Sequence, residues 1–111
     1  MVPAYGFMFD NIGGMATGIA IVNADSISGQ FLLNFYASGA LVASKVLNLG
    51  PLQHMTVASA QYPELANLRG YAELKRIDVP GGKNFYPYLS ATVLRFDPSG
   101  SIAAMPMMGI Y

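Results

Sequence analysis

No cysteine occurs in this 111-residue chain, which removes disulfide staples, thiol nucleophiles and thiolate metal ligands at once. A single histidine, His54, excludes a histidine metal cluster and leaves a Ser-His-Asp triad one residue to recruit, with no Gly-x-Ser-x-Gly elbow to accompany it. His54 follows the strand-ending Gly50-Pro51 and reads as a hydrogen-bonding turn residue. Nucleotide fingerprints are missing as well. Gly81-Gly82-Lys83 has neither the upstream glycine nor the hydroxyl after the lysine that a phosphate-cradling loop needs.

Charge is scarce. Only 11% of residues are charged, about half the usual share, and the formal net charge is zero. Six scattered basic residues do not make the electrostatic footprint of a nucleic-acid or anionic-membrane binder. No run approaches the roughly 18 apolar residues of a membrane-spanning helix. The first residues carry no Lys or Arg ahead of a long apolar core, so no signal peptide is read within this chain. The carboxylates Asp10, Asp25, Glu64, Glu73, Asp78 and Asp97 each sit beside turn or surface signals, which suits solvation and turn chemistry better than a paired acid and base. Asp10 and Asn11, joined by Asp25, are the oxygen donors weighed for calcium, without an EF-hand spacing. No cofactor is expected.

What is present is apolar and strand-like. At 53% hydrophobic residues, a chain of this size buries one core, and residues 1–111 are read as one domain. The excess of apolar over charged surface favours a partner or self-association. Residues 17–23 form a short apolar run closed by Asn23, read as a central buried strand. Residues 30–36 alternate, with Phe31, Leu33 and Phe35 on one face. The turn at Ala37-Ser38-Gly39-Ala40 returns the chain into residues 41–49, where Lys45 and Asn48 have opposite parity; either a bulge separates them or one lies at an edge. A brief helical turn falls within residues 59–68, with Pro63 in its first turn and Glu64 placed to suit the helix dipole. Strands follow at 70–77, 89–96 and 101–107, the last two joined by the Asp97-Pro98-Ser99-Gly100 turn. Seven to eight short strands, Gly/Pro/Asn/Asp turns and at most one short helical turn predict an all-β antiparallel sandwich.

Two segments stand out as sites. Tyr5, Phe7 and Phe9 make an aromatic first strand, and an apolar edge without guarding charge recruits another chain. Residues 1–10 are therefore read as an exchanged or intersubunit edge strand. Phe85, Tyr86 and Tyr88, in the loop 79–88, are candidates for stacking on sugar rings, with Tyr36 or Tyr62 if the fold brings them near.

Phe9-Asp10-Asn11 with Gly13-Gly14, the run 17–23, Phe35-Tyr36 before Ser38-Gly39, residues 49–54, Tyr62-Pro63, Arg69-Gly70 and Leu94-Arg95-Phe96 with the segment 101–106 resemble small immunoglobulin-like β-sandwich modules. Such modules stand at the C-terminal ends of exported bacterial proteins, notably from acidobacteria. The resemblance implies an extracellular or cell-surface location and no catalytic residue set. Together with the edge argument it sets the expectation of a non-enzymatic structural subunit, self-assembling or adhesive through β-strand addition, in a filament or surface layer. A carbohydrate-binding module using the aromatic loop is the alternative. The expected partners are further copies of the chain, as homo-oligomer or polymer, and a polysaccharide, with no nucleic acid and no membrane insertion.

Overall fold

The computed structural model describes residues 4–78 and 89–110. Two antiparallel sheets pack face to face. Their strands are β1 (Ala4–Asp10), β2 (Ala16–Asn23), β3 (Gly29–Ala37), β4 (Ala40–Leu49), β5 (His54–Ala58), β6 (Arg69–Arg76), β7 (Leu89–Phe96), β8 (Ile102–Met105) and β9 (Met108–Ile110). One sheet runs β4-β3-β6-β1-β9 and the other β5-β2-β7-β8. The expected all-β sandwich is what forms; the expected last strand at 101–107 is shorter, ending at Met105, and after Pro106-Met107 the chain enters the other sheet as a further strand, β9. The helical turn is two short 3-10 turns, Ser59–Gln61 and Pro63–Leu65, with Pro63 at the first position as its missing N–H allows.

Period-two alternation builds the core. From the five-stranded sheet, Phe7, Phe9, Phe31, Leu33, Phe35, Leu47 and Leu74 point inward, and they meet Ile19, Ile21, Val57 and Val93 of the four-stranded sheet. Phe9 and Phe35 pack edge to face with centroids 5.2 Å apart, and Tyr62 closes on Phe35 at 5.8 Å. Each such pair contributes about 0.5–1.5 kcal/mol beyond its buried area. β2 lies between β5 and β7, so the run 17–23 is a central strand.

Two details of the β3–β4 hairpin depend on local chemistry. Ser38 and Gly39 both have positive φ, 52° and 78°, the two-residue turn whose twist matches the flanking strands. The register shifts between Phe35 and Tyr36, so the bulge is there and not between Lys45 and Asn48. Lys45 has inward parity, opposite Leu33, but β4 is an edge. Its ammonium escapes the core sideways to Glu64 at 2.8 Å and over the Tyr62 ring at 4.7 Å. Glu64 stands in the first turn of Pro63–Leu65 as expected and also serves this ion pair, the Lys45 hydrogen bond foremost holding its carboxyl below the usual value.

The first strand is interior only along Ala4–Gly6; from Phe7 to Asp10 it has β6 on one side and no strand partner on the other among the described residues. β1 pairs with β6 along its whole length, from Ala4 opposite Lys75 to Asp10 opposite Arg69, and its other side receives β9 from Ala4 to Gly6. Phe7 and Phe9 fill the core of their own domain. The expectation of an intersubunit edge is corrected at Tyr5, where both flanks of the strand are paired; the Phe7 and Phe9 side chains are spent in the core of their own domain. Aromatic residues at inward positions read alike on an edge and in a sheet interior, and only the nonlocal pairing with β6 and β9 distinguishes them.

Candidate functional site

The polar side chains that draw attention in the sequence are committed to holding the two ends of the sandwich. At one end, Asn11 donates to the carbonyls of Ser59 and Leu65 and accepts from the Ser59 hydroxyl, which in turn accepts the Thr17 N–H. Asp10 accepts from the Ile12 N–H and from Arg69. At the other end, Asp25 receives Arg76 at 2.7 Å. β2 separates Asp10 and Asn11 from Asp25, so the three donors weighed for calcium do not share a site. Among the described residues no three His, Asp or Glu side chains gather at metal-binding distance. His54 is exposed at the start of β5, opposite Val22.

Arg76 is the hub of its end. Its side chain is only 6% exposed, ion-paired to Asp25 and Asp78 at 2.7 Å each, donating to the Ser28 carbonyl and lying against the Phe31 ring. The Arg76 hydrogen bond, the largest influence on Asp25, lowers that carboxyl below its ordinary 3.8; for Asp78 burial, the largest influence, pushes upward, and the hydrogen bonds from Arg76 and the backbone together with the Arg76 charge outweigh it, so that this carboxyl too is lowered. A carboxyl depressed in the folded state adds stability above its unfolded value, and that stability is lost as the pH falls through the folded value. The melting temperature is therefore expected to fall on acidification below about pH 4. Arg76→Met is expected to show a shallower acid limb than the parent in melts recorded across that range. An equal slope in both proteins would remove Arg76 from this role.

Cavities are small. One of about 90 Å³ lies between the sheets against Met8, Phe9, Asp10, Thr17, Arg69, Arg95 and Met105, and another of about 250 Å³ opens beside Arg95, Asp97, Ser101 and Ala103. Both fall below the usual 300–1,000 Å³ of a small-molecule site. The Asp97 carboxylate is occupied by Ser99 and Ser101, and the Ser99 hydroxyl foremost lowers its pKa.

The outer sheet faces carry the more distinctive chemistry. On the four-stranded sheet the outward positions are His54, Thr56 and Ala58 of β5, Gly18, Ala20 and Val22 of β2, Ser90, Thr92, Leu94 and Phe96 of β7, and Ile102 and Ala104 of β8. None is Asp, Glu, Lys or Arg. Ile102 is 61% exposed, and the Phe96 ring lies over Gly18, where a Cβ would come within 2.9 Å of it. β8 pairs with β7 on one side and with nothing on the other among the described residues. Of the other edges, β4 is blunted by Lys45 and the bulge, β5 by Gln61, whose amide oxygen takes the Ala58 N–H at 2.8 Å, and β9 by its length of three residues, which leaves the flank of β1 from Phe7 to Asp10 without a strand partner among the described residues. No side-chain hydrogen bond covers residues 102–105 among the described residues.

The outer face of the five-stranded sheet is different. One row across it is Leu41, Tyr36, Tyr71 and Met8, from strands β4, β3, β6 and β1. The next row is Ser44, Asn34, Glu73 and Gly6. Tyr36 and Tyr71 are cross-strand partners with centroids 6.4 Å apart, tilted by 36°. Tyr71 reaches across to β1, its hydroxyl end occupying the space a side chain on Gly6 would need. Burial first, then Glu73 and Tyr36, raise the Tyr71 hydroxyl above its ordinary 10.0. Tyr62, the other tyrosine considered beside the aromatic loop, is in the core wall against Phe35. Phe85, Tyr86 and Tyr88 lie outside the described residues. Tyr71 draws no notice in the sequence, although its outward parity in the alternation of 70–77 is readable there.

No protein-family model matches the chain, and no curated protein does. A crystal structure from Thermotoga maritima, titled Thermotoga maritima 1070, is similar over 98% of this chain and 90% of that one, with a TM-score of 0.62 and 11% identity. At that identity the likeness is one of fold.

Proposed function

We propose that this chain is a non-enzymatic structural subunit of the extracellular, exported bacterial kind, which self-assembles by β-strand addition. The observation that carries this reading is the four-stranded sheet: an outer face without a charged residue, bordered by the edge of β8, which has no strand partner on its far side among the described residues. An exposed edge offers a row of N–H and C=O groups to another strand, and natural monomers guard such edges with charge, proline or bulges. Pro106 guards only the end of β8. The strand that takes part in addition is thus β8, in place of the aromatic first strand. A second copy is the simplest occupant, because β8 laid antiparallel on another β8 brings only Ile, Ala and Met side chains together and opposes no like charges.

The test is the mass in solution. Parent protein is expected to sediment as dimer or polymer at micromolar concentration, and Ala104→Lys, which places an ammonium beside the shared edge, as a folded monomer with an unchanged melting temperature. A parent that stays monomeric throughout would end this reading.

A further inference from the structure

We infer that the outer face of the five-stranded sheet is a saccharide-binding platform, built by Tyr36 and Tyr71 with Asn34 and Glu73, and specific for a flat β-1,4-linked chain of sugars with equatorial hydroxyls. It is separate from the β8 edge, on the opposite sheet, and uses none of the loop aromatics.

Three observations converge on this chemistry. First, the two tyrosines are adjacent across β3 and β6, and Tyr71 is laid over the bare backbone of Gly6 instead of standing off the sheet. Together with Met8 and Leu41, each 54% exposed, they make an apolar row across four strands. The row runs across the strands, and its two rings lie 6.4 Å apart, so an extended β-linked sugar chain laid along it meets both. The C–H faces of such sugars are flat and apolar, and they suit tyrosine, which joins an apolar ring to a polar tip.

Second, the row beside it is polar and outward. Asn34 is only 7% exposed, yet it points away from the core. Its carbonyl oxygen accepts the Ser44 hydroxyl at 2.7 Å, and among the described residues its amide nitrogen has no protein partner. No buried side-chain nitrogen or oxygen among the described residues is left without a partner, so this amide nitrogen opens to solvent on the outer face. The two free N–H groups of Asn34, with the Glu73 carboxylate beside them in register, present donors and acceptors for sugar hydroxyls along the line of the rings.

Third, the face is close to neutral. Glu73 is paired with Lys75 at 3.6 Å, so the platform offers hydrogen bonds and ring faces rather than a net charge. That favours a neutral glycan over an anionic or cationic ligand.

Titration calorimetry with cellohexaose and chitohexaose, and with α-linked maltohexaose as the curved control, tests the inference. The parent is expected to bind a β-linked probe and to bind maltohexaose at least tenfold more weakly. Tyr36→Ala and Tyr71→Ala are expected to lose at least tenfold in affinity, and Tyr71→Phe, which keeps the ring, to stay within a few fold. Gly6→Ala displaces the Tyr71 ring without removing it and is expected to weaken binding as Tyr71→Ala does; circular dichroism shows that each variant is folded. No binding of either β-linked probe by the parent, equal binding of the curved probe, or folded alanine variants that bind like the parent would each overturn the platform.

Discussion

Gly70→Ala is expected to destabilise the domain by about 3 kcal/mol, read as a lowered denaturant midpoint with an unchanged slope. Gly70 faces inward on β6, opposite Phe9, just where the bulge between Phe35 and Tyr36 swings the Tyr36 carbonyl toward it. A Cβ would overlap that carbonyl oxygen and stand 3.0 Å from the Tyr36 carbonyl carbon and 3.2 Å from the Ala37 Cα. All three are backbone atoms of a paired strand, so relief requires moving β3 and the core residues it carries. Gly6→Ala is the informative contrast: its nearest neighbours all belong to the Tyr71 side chain, which can swing into solvent. A loss for Gly70→Ala no larger than for Gly6→Ala would mean that the hairpin and its bulge shift readily.

Asn23 gives the second large effect. Its side chain is fully buried at the end of β2, and its amide nitrogen donates to the carbonyls of Ile27, Leu49 and Gly50 at 2.9, 3.1 and 3.0 Å. The amide oxygen accepts the Asp25 N–H, and the Asn23 N–H reaches the Gln53 carbonyl. One side chain thereby ties the β2–β3 turn to the end of β4. Asn23→Leu keeps the volume but strands those carbonyls, and each buried unsatisfied group costs about 1–3 kcal/mol. The expected loss is about 3–5 kcal/mol, enough to consume much of the stability of a domain this size. A chemical melt within about 1 kcal/mol of the parent would mean that water replaces the amide there.

Much of the architecture is legible from local rules. Alternation in residues 30–36 and 70–77 gives the inward set correctly, and Ser38-Gly39 and Asp97-Pro98-Ser99-Gly100 mark their turns. Asn23 reads as a turn residue because its type is favoured there, but its three carbonyl partners arrive from segments up to 27 positions away, and no local pattern announces them. The same limit explains the first strand. Its aromatic alternation is visible, while the partners that cover one side of it along its whole length and the other along Ala4–Gly6 come from β6 and β9. The candidate platform is nonlocal in the same way: Tyr36 and Tyr71 become neighbours only through the β3–β6 register. The opposite parities of Lys45 and Asn48 signal a real conflict, resolved by a long flexible side chain at an edge, which a parity rule for short side chains does not anticipate.

The pairing of β1 with β9 has a mechanical meaning. Ala4 stands opposite Ile110, so the two described ends of the chain leave the same corner of the sheet in antiparallel strands. Tension applied through both ends would load the β1–β9 hydrogen bonds one pair after another, as a zipper opens, rather than all at once as in a shear lap. Three residues of β9 would peel before the core strand β1, held along its full length by β6, bore any load. Peeling would bare the flank of β1 at Ala4–Gly6, giving the domain under strain a strand edge that it conceals at rest.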